Sequence, residues 1–176
     1  MRFVAFLRGI NVAGINIKME DLRKTFADLG FENVKTILAS GNVLFDSART
    51  DRAKLKRDIE KGLNEAFGYE AWVVLLDIPT VQRVIDAYPF EPEREGWQPY
   101  VLLSSDPAPI AELLEFADDL DPALERIAGG DGVLYWEVER GQTLKSTFGK
   151  TLGKKRYKST TTNRNLRTLL KVAAGK

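Results

Sequence analysis

VKTILASGNVLFD, residues 34–46, decides how the chain folds. "VKTILAS" and "NVLFD" are each rich in β-branched or large apolar residues, and a glycine between them supplies the positive φ of a tight reversal. The stretch therefore reads as two strands joined at Ser40-Gly41-Asn42. Upstream, Phe3 to Arg8 reads as a strand. Met19 to Leu29 has helical spacing (Leu22, Phe26, Leu29) with acidic residues in its first turn and a stop at Gly30. Downstream, Asp51 to Phe67 is an amphipathic helix beginning after "SART", and "AWVVLL" is a fourth strand. The order β-α-β-β-α-β is that of the ferredoxin-like split βαβ motif. It predicts a four-stranded antiparallel sheet in the order 4-1-3-2 with both helices on one face.

The remaining residues repeat the theme less cleanly. Pro79 to Tyr88 reads as a helix, "PFEPEREGWQP" as a polar connection and "YVLLSS" as a strand. A helix near Ile110 to Phe116 follows, then a hairpin of "LERIAG" and "VLYWEV" turning on Gly130-Asp131-Gly132. Two basic helical stretches, Leu144 to Leu152 and Asn163 to Ala173, close the chain. For the second of these, Thr162 or Asn163 is the expected N-cap. Leu166, Leu169, Leu170 and Ala173 would share a buried face, and Arg164, Arg167 and Lys171 another. The expected class is α+β, with two ferredoxin-like (βαββαβ-type) lobes built on antiparallel sheets. Residues 1–77 form the first lobe, and 78–176 the second, less regular one with its basic C-terminal helices.

Composition narrows the chemistry. The 176 residues contain no cysteine, which excludes disulfides, thiolate nucleophiles and zinc fingers, and no histidine, the usual general base near neutral pH. No metal site and no cofactor is expected. The formal net charge of +1 hides a gradient: residues 1–139 carry 15 Lys+Arg against 25 Asp+Glu, whereas 140–176 carry 11 Lys+Arg and no acid. The N-terminus "MRFVAFLRGI" has a short apolar run cut by Arg8, and no later run approaches the roughly 18 apolar residues of a membrane span. A cytoplasmic protein with no membrane partner is expected.

In the split βαβ motif the C-terminal end of strand 1, at Arg8, Gly9 and Asn11, lies at the same sheet end as the Ser40-Gly41-Asn42 turn, and helix 1 begins there too. Gly14 and Lys18 precede that helix. Backbone amides, glycines that permit close approach and an arginine able to hold an oxyanion in two hydrogen bonds together suit an anion. The basic tail supplies Arg164 and Asn165, and an acidic body should draw it back so that Arg164 and Arg8 converge on one ligand. The aromatic residues offer no stacking platform: Phe3 and Phe6 point to opposite faces, Phe45 stands isolated on its strand, and Tyr135 and Trp136 face opposite ways.

"LRGINVAG", followed by "KM", "SGNVLF" and a late "TTTNRNLRT", resembles a bacterial family of domains of unknown function that share an LRGINVGG opening, an SGNV turn and a closing TTRNW-like segment. The resemblance implies a pair of ferredoxin-like lobes and brings no catalytic residue with it. Ala13 stands where the pattern has glycine, and Leu166 where it has tryptophan.

The resulting expectation is a binding module for a phosphorylated small molecule or nucleotide at the strand-1 and hairpin edge. Two alternatives stand beside it. One is a histidine- and cysteine-independent enzyme on phosphoryl or acyl substrates, with Lys18 or Ser40 taking part and acids such as Asp46 as base or magnesium ligand. The other is a nucleic-acid or protein interaction module using the basic C-terminal segment. The sequence sets no oligomeric state.

Overall fold

The computed structural model describes residues 1–8, 15–157 and 160–175. The chain divides into two compact units, Met1–Gln82 with Lys171–Lys176, and Arg83–Leu170.

The first unit holds β1 (Arg2–Leu7), α1 (Met19–Asp28), β2 (Glu32–Ile37), β3 (Asn42–Asp46), α2 (Arg52–Phe67) and β4 (Val73–Asp77). Its sheet runs β2-β3-β1-β4 with every neighbouring pair antiparallel, the order that the β-α-β-β-α-β reading requires. α2 starts where Asp51 accepts a hydrogen bond from the Lys54 amide and stops at Gly68, whose left-handed conformation ends the helix. Leu22 and Phe26 of α1 and Leu55, Ile59 and Leu63 of α2 pack on alternate sheet residues, Phe3, Ala5, Leu7, Val43 and Phe45 among them. The intervening residues Val4, Phe6 and Leu44 are buried as well, so both faces of this sheet are covered. Phe45 is not isolated: its ring lies 4.4 Å from that of Phe31, 5.5 Å from Phe26 and 5.7 Å from Phe3. Sequence order separates these rings; strand pairing sets Phe3 opposite Phe45, and packing of α1 on the sheet brings in Phe26.

α3 (Ile78–Asp86) follows β4 directly, with the Thr80 amide donating to Asp77 Oδ1 at 2.8 Å. The second unit then carries β5 (Trp97–Ser104), α4 (Pro107–Leu114), β6 (Glu125–Gly129), β7 (Val133–Glu139), α5 (Thr147–Leu152) and β8 (Thr161–Asn165), followed by α6 (Leu166–Ala174). Its sheet runs β6-β7-β5-β8, again wholly antiparallel. This lobe therefore repeats the strand order of the first less regularly, its second helix having six residues against sixteen in α2. Ile110, Leu113 and Phe148 pack on Leu102, Leu134 and Trp136 at one face. Tyr135 points the other way, its hydroxyl donating to the Val84 carbonyl at 2.7 Å.

The expected helix start at Thr162 or Asn163 is overturned. Thr161–Asn165 form a strand paired with β5, and the helix begins only at Leu166. Its polar sequence hides it, although two of the five residues are β-branched threonines, both buried. Asn165 does the capping instead, with the Arg167 amide donating to Asn165 Oδ1 at 2.9 Å. Arg164 consequently leaves the face it was expected to share with Arg167 and Lys171. Among the described residues no helix is long and apolar enough to cross a membrane.

Candidate functional site

At the end of β1, the Leu7 amide donates to the Gly41 carbonyl at 2.8 Å and the Arg8 amide to the Trp72 carbonyl at 3.1 Å. Phe6 pairs with Asn42 and Leu7 with Val73, so Arg8 emerges beside the β2–β3 turn as topology demands. The turn is wider than three residues: Ile37 pairs with Asn42, leaving Leu38 to Gly41 in the loop. Gly41 has φ +89°, and Leu38 sits at +63°, a conformation uncommon for a branched side chain.

Asn42 is fully buried. Its amide nitrogen donates to the Ile37 carbonyl at 2.7 Å and to Ser40 Oγ at 3.1 Å. Both donors are thus directed into the turn, and Asn42 shapes the site rather than offering these protons to a ligand. Ser40 is exposed and Arg8 half-buried, and burial lowers the pKa of its guanidinium from the ordinary arginine value. Lys18 is exposed at the start of α1, where its side chain makes no capping hydrogen bond, and no described contact joins it to Arg8 or the turn. Gly9, Asn11 and Gly14, the other expected members, lie outside the described residues.

Arg164 and Asn165 stand on β8 of the second lobe. Arg164 is 7% exposed, and its Nη1 donates to Thr162 Oγ1 at 2.6 Å and to the Asn163 carbonyl at 3.0 Å. Asn165 Nδ2 donates to Gln98 Oε1 at 3.1 Å.

The second lobe supplies an internal comparison for the first. The Ser105 amide donates to the Thr160 carbonyl at 3.0 Å as Arg8 does to Trp72, and Val133 opens β7 opposite Leu103 as Asn42 opens β3 opposite Phe6. Serine and valine thus occupy the places of Arg8 and Asn42. The fold itself requires neither residue at this sheet end.

A pocket of about 430 Å³ opens at the other end of the first sheet, lined by Leu29, Gly30, Phe31, Asp46 and Arg49 with neighbouring residues. Its Asp46 and Arg49 are already engaged. Asp46 accepts from Asn33 Nδ2 at 2.7 Å and from Arg2 Nη1 at 3.0 Å, and these two hydrogen bonds, that of Asn33 foremost, hold its carboxyl below the usual range. Arg49 is tied to Asp58 at 2.6 Å. The structure thus makes Asp46 a fastener between strands, and among the described residues no group of three acids is placed to hold a metal ion.

One cluster escaped the sequence reading. Glu137, 2% exposed, accepts from Arg94 Nη1 at 3.2 Å and from Arg126 Nε at 2.7 Å, while Arg94 lies over the Trp97 ring and Arg126 over Phe90. It fastens the 88–97 connection to the second sheet. A glutamate in an apolar strand was the only visible signal.

The sequence pattern of the family described as "Protein of unknown function (DUF1697)" matches residues 1–135. The chain belongs to that family. A bacterial family of domains of unknown function was the expectation raised by the LRGINVAG, SGNV and TTTNRN segments; the first two lie inside the matched residues and the third beyond them. No curated protein matches this DUF1697 chain. Among solved structures it resembles the conserved bacterial protein SP0830 from Streptococcus pneumoniae, with a TM-score of 0.80 and 23% identity over 98% of this chain and 97% of that one. The likeness extends through both lobes and shows the fold. An unknown protein from Galdieria sulphuraria aligns over 99% of this chain and 91% of its own at 11% identity, with a TM-score of only 0.28.

Proposed function

We propose that the end of β1 and the β2–β3 turn bind a phosphorylated small molecule or nucleotide, with Arg8 as the charged anchor. The observation that supports this reading is the asymmetry between the lobes: a half-buried arginine and a fully buried asparagine in one, a serine and a valine in the other, at positions that the sheet register makes equivalent. Stability alone is served by a serine and a valine at these places. A guanidinium partly withdrawn from water is poorly hydrated, which strengthens its attraction to an oxyanion, and its planar fork matches phosphate in two parallel hydrogen bonds. Asn42 fixes the turn against which the ligand would rest, and Ser40 presents an exposed hydroxyl there.

Titration calorimetry against a panel of nucleotides and sugar phosphates tests the reading. Binding by the unaltered protein should weaken by roughly 1.5–3 kcal/mol in Arg8→Ala, the scale of a lost charge-assisted hydrogen bond. Silence across the whole panel would remove the proposal.

A further inference from the structure

We propose that the outer face of α5, with the residues flanking it, binds the phosphate backbone of a nucleic-acid duplex. This surface lies within the second lobe and is independent of the site at Arg8.

The internal alternative for the basic tail is neutralisation by the acidic body, which predicts ion pairs along it. Arg156 pairs with Glu112. Lys145, Lys150, Lys154 and Lys155 are exposed, and among the described residues none has a carboxylate at ion-pair distance.

These lysines are carried on a fixed support. Ser146 Oγ accepts from the Gly149 amide at 3.1 Å, and the Phe148 amide donates to the buried carboxylate of Glu125 at 3.3 Å. Phe148 is fully buried in the core of the lobe. A Cβ at Gly149 would run into the Thr143 carbonyl oxygen, so the helix sits close against the chain before it. With its inner side anchored, Thr147 and Lys150 fall three residues apart on the outer side of the helix, and the exposed Lys154 and Lys155 follow its C-terminal end.

The chemistry of the surface selects the partner. Lysine ammoniums and a threonine hydroxyl contact phosphate oxygens without reading bases. The nearby aromatic residues, Phe148 and Tyr157, are buried, so no ring is offered on which unpaired bases could stack. Among the described residues of 140–157, Leu144 is the one exposed large apolar side chain, at 84%, too little to embed in a lipid surface. A duplex backbone, rigid and dense in charge, suits these exposed cations.

Fluorescence anisotropy of a labelled random-sequence DNA duplex with the full chain, across a salt series, reads the proposal directly. Binding should fall with salt at a log–log slope of about −3 to −4, as expected for about four phosphate contacts. Lys150→Ala with Lys154→Ala should flatten that slope by about 2 and cost at least about tenfold in affinity at low salt. Arginine at both positions should restore binding, and Lys61→Ala, an exposed change on α2 of the first lobe, should leave the slope alone. Several results would overturn the idea: no duplex binding at low salt, a slope unchanged in the double alanine variant, tighter binding to a single strand of equal length, or retention on phosphatidylserine vesicles without duplex binding.

Discussion

Gly41 illustrates how much a single residue decides. At φ +89° it closes the β2–β3 turn while its carbonyl accepts the Leu7 amide, so one residue shapes the hairpin and ties it to β1. A branched side chain adopts that backbone only under strain. Gly41→Val should therefore destabilise by roughly 1–3 kcal/mol in urea unfolding, whatever the ligand proves to be. Asn42 beside it is a buried polar residue whose amide nitrogen bonds within the turn, an orientation that the sequence does not assign. Tyr69 is a different case. Its hydroxyl is buried with no hydrogen-bond partner, so the polar atom contributes nothing that a phenyl ring would lose. Tyr69→Phe should leave the melting temperature unchanged or raise it, by up to about 1 kcal/mol in stability.

The elements differ in how much of their formation is local. α2 carries its own instructions: Asp51 at one end, Gly68 at the other, and an apolar stripe between them. α5, at six residues, is too short to persist alone and is held by Glu125 and by the close approach that Gly149 allows. Gly149→Ala should accordingly cost about 1–3 kcal/mol, as overpacking against a backbone carbonyl does. The loss would be seen as a lower thermal midpoint. An unchanged midpoint would mean that the 143–146 segment yields freely.

At the scale of the molecule, the buried tyrosines link stability to alkaline pH. Burial pushes the Tyr69 hydroxyl up to about 12 from the ordinary 10.0. Tyr88 is raised by burial and by the negative charge of Glu137, and Tyr135 by burial and Asp131. Each keeps its proton in the folded state where the unfolded chain has lost it. The stabilisation is therefore complete below pH 10 and is lost as pH climbs from there toward 12 for Tyr69. Phenolate absorbance should show these three of the five tyrosines silent near pH 10, with the melting temperature falling as pH rises beyond it. Early titration of all five would mean that the core admits water.

The first lobe and the second hairpin are legible from the residues alone, because there the apolar alternation, the helical stripes and the glycines of the turns all act within a few residues of one another. The sequence also placed Arg8 beside the Ser40-Gly41-Asn42 turn, since the order of elements and the handedness of crossovers leave one sheet order. Tertiary structure alone decided the rest. β8 reads as a helix cap until β5 pairs with it and buries Thr161 and Thr162. Glu137 meets Arg94 across 43 positions, and Phe45 meets Phe26 and Phe31 only when α1 folds onto the sheet. Local propensity is a sum over neighbours in sequence, whereas burial and ion pairing depend on neighbours in space, and for a polar strand the second overrules the first.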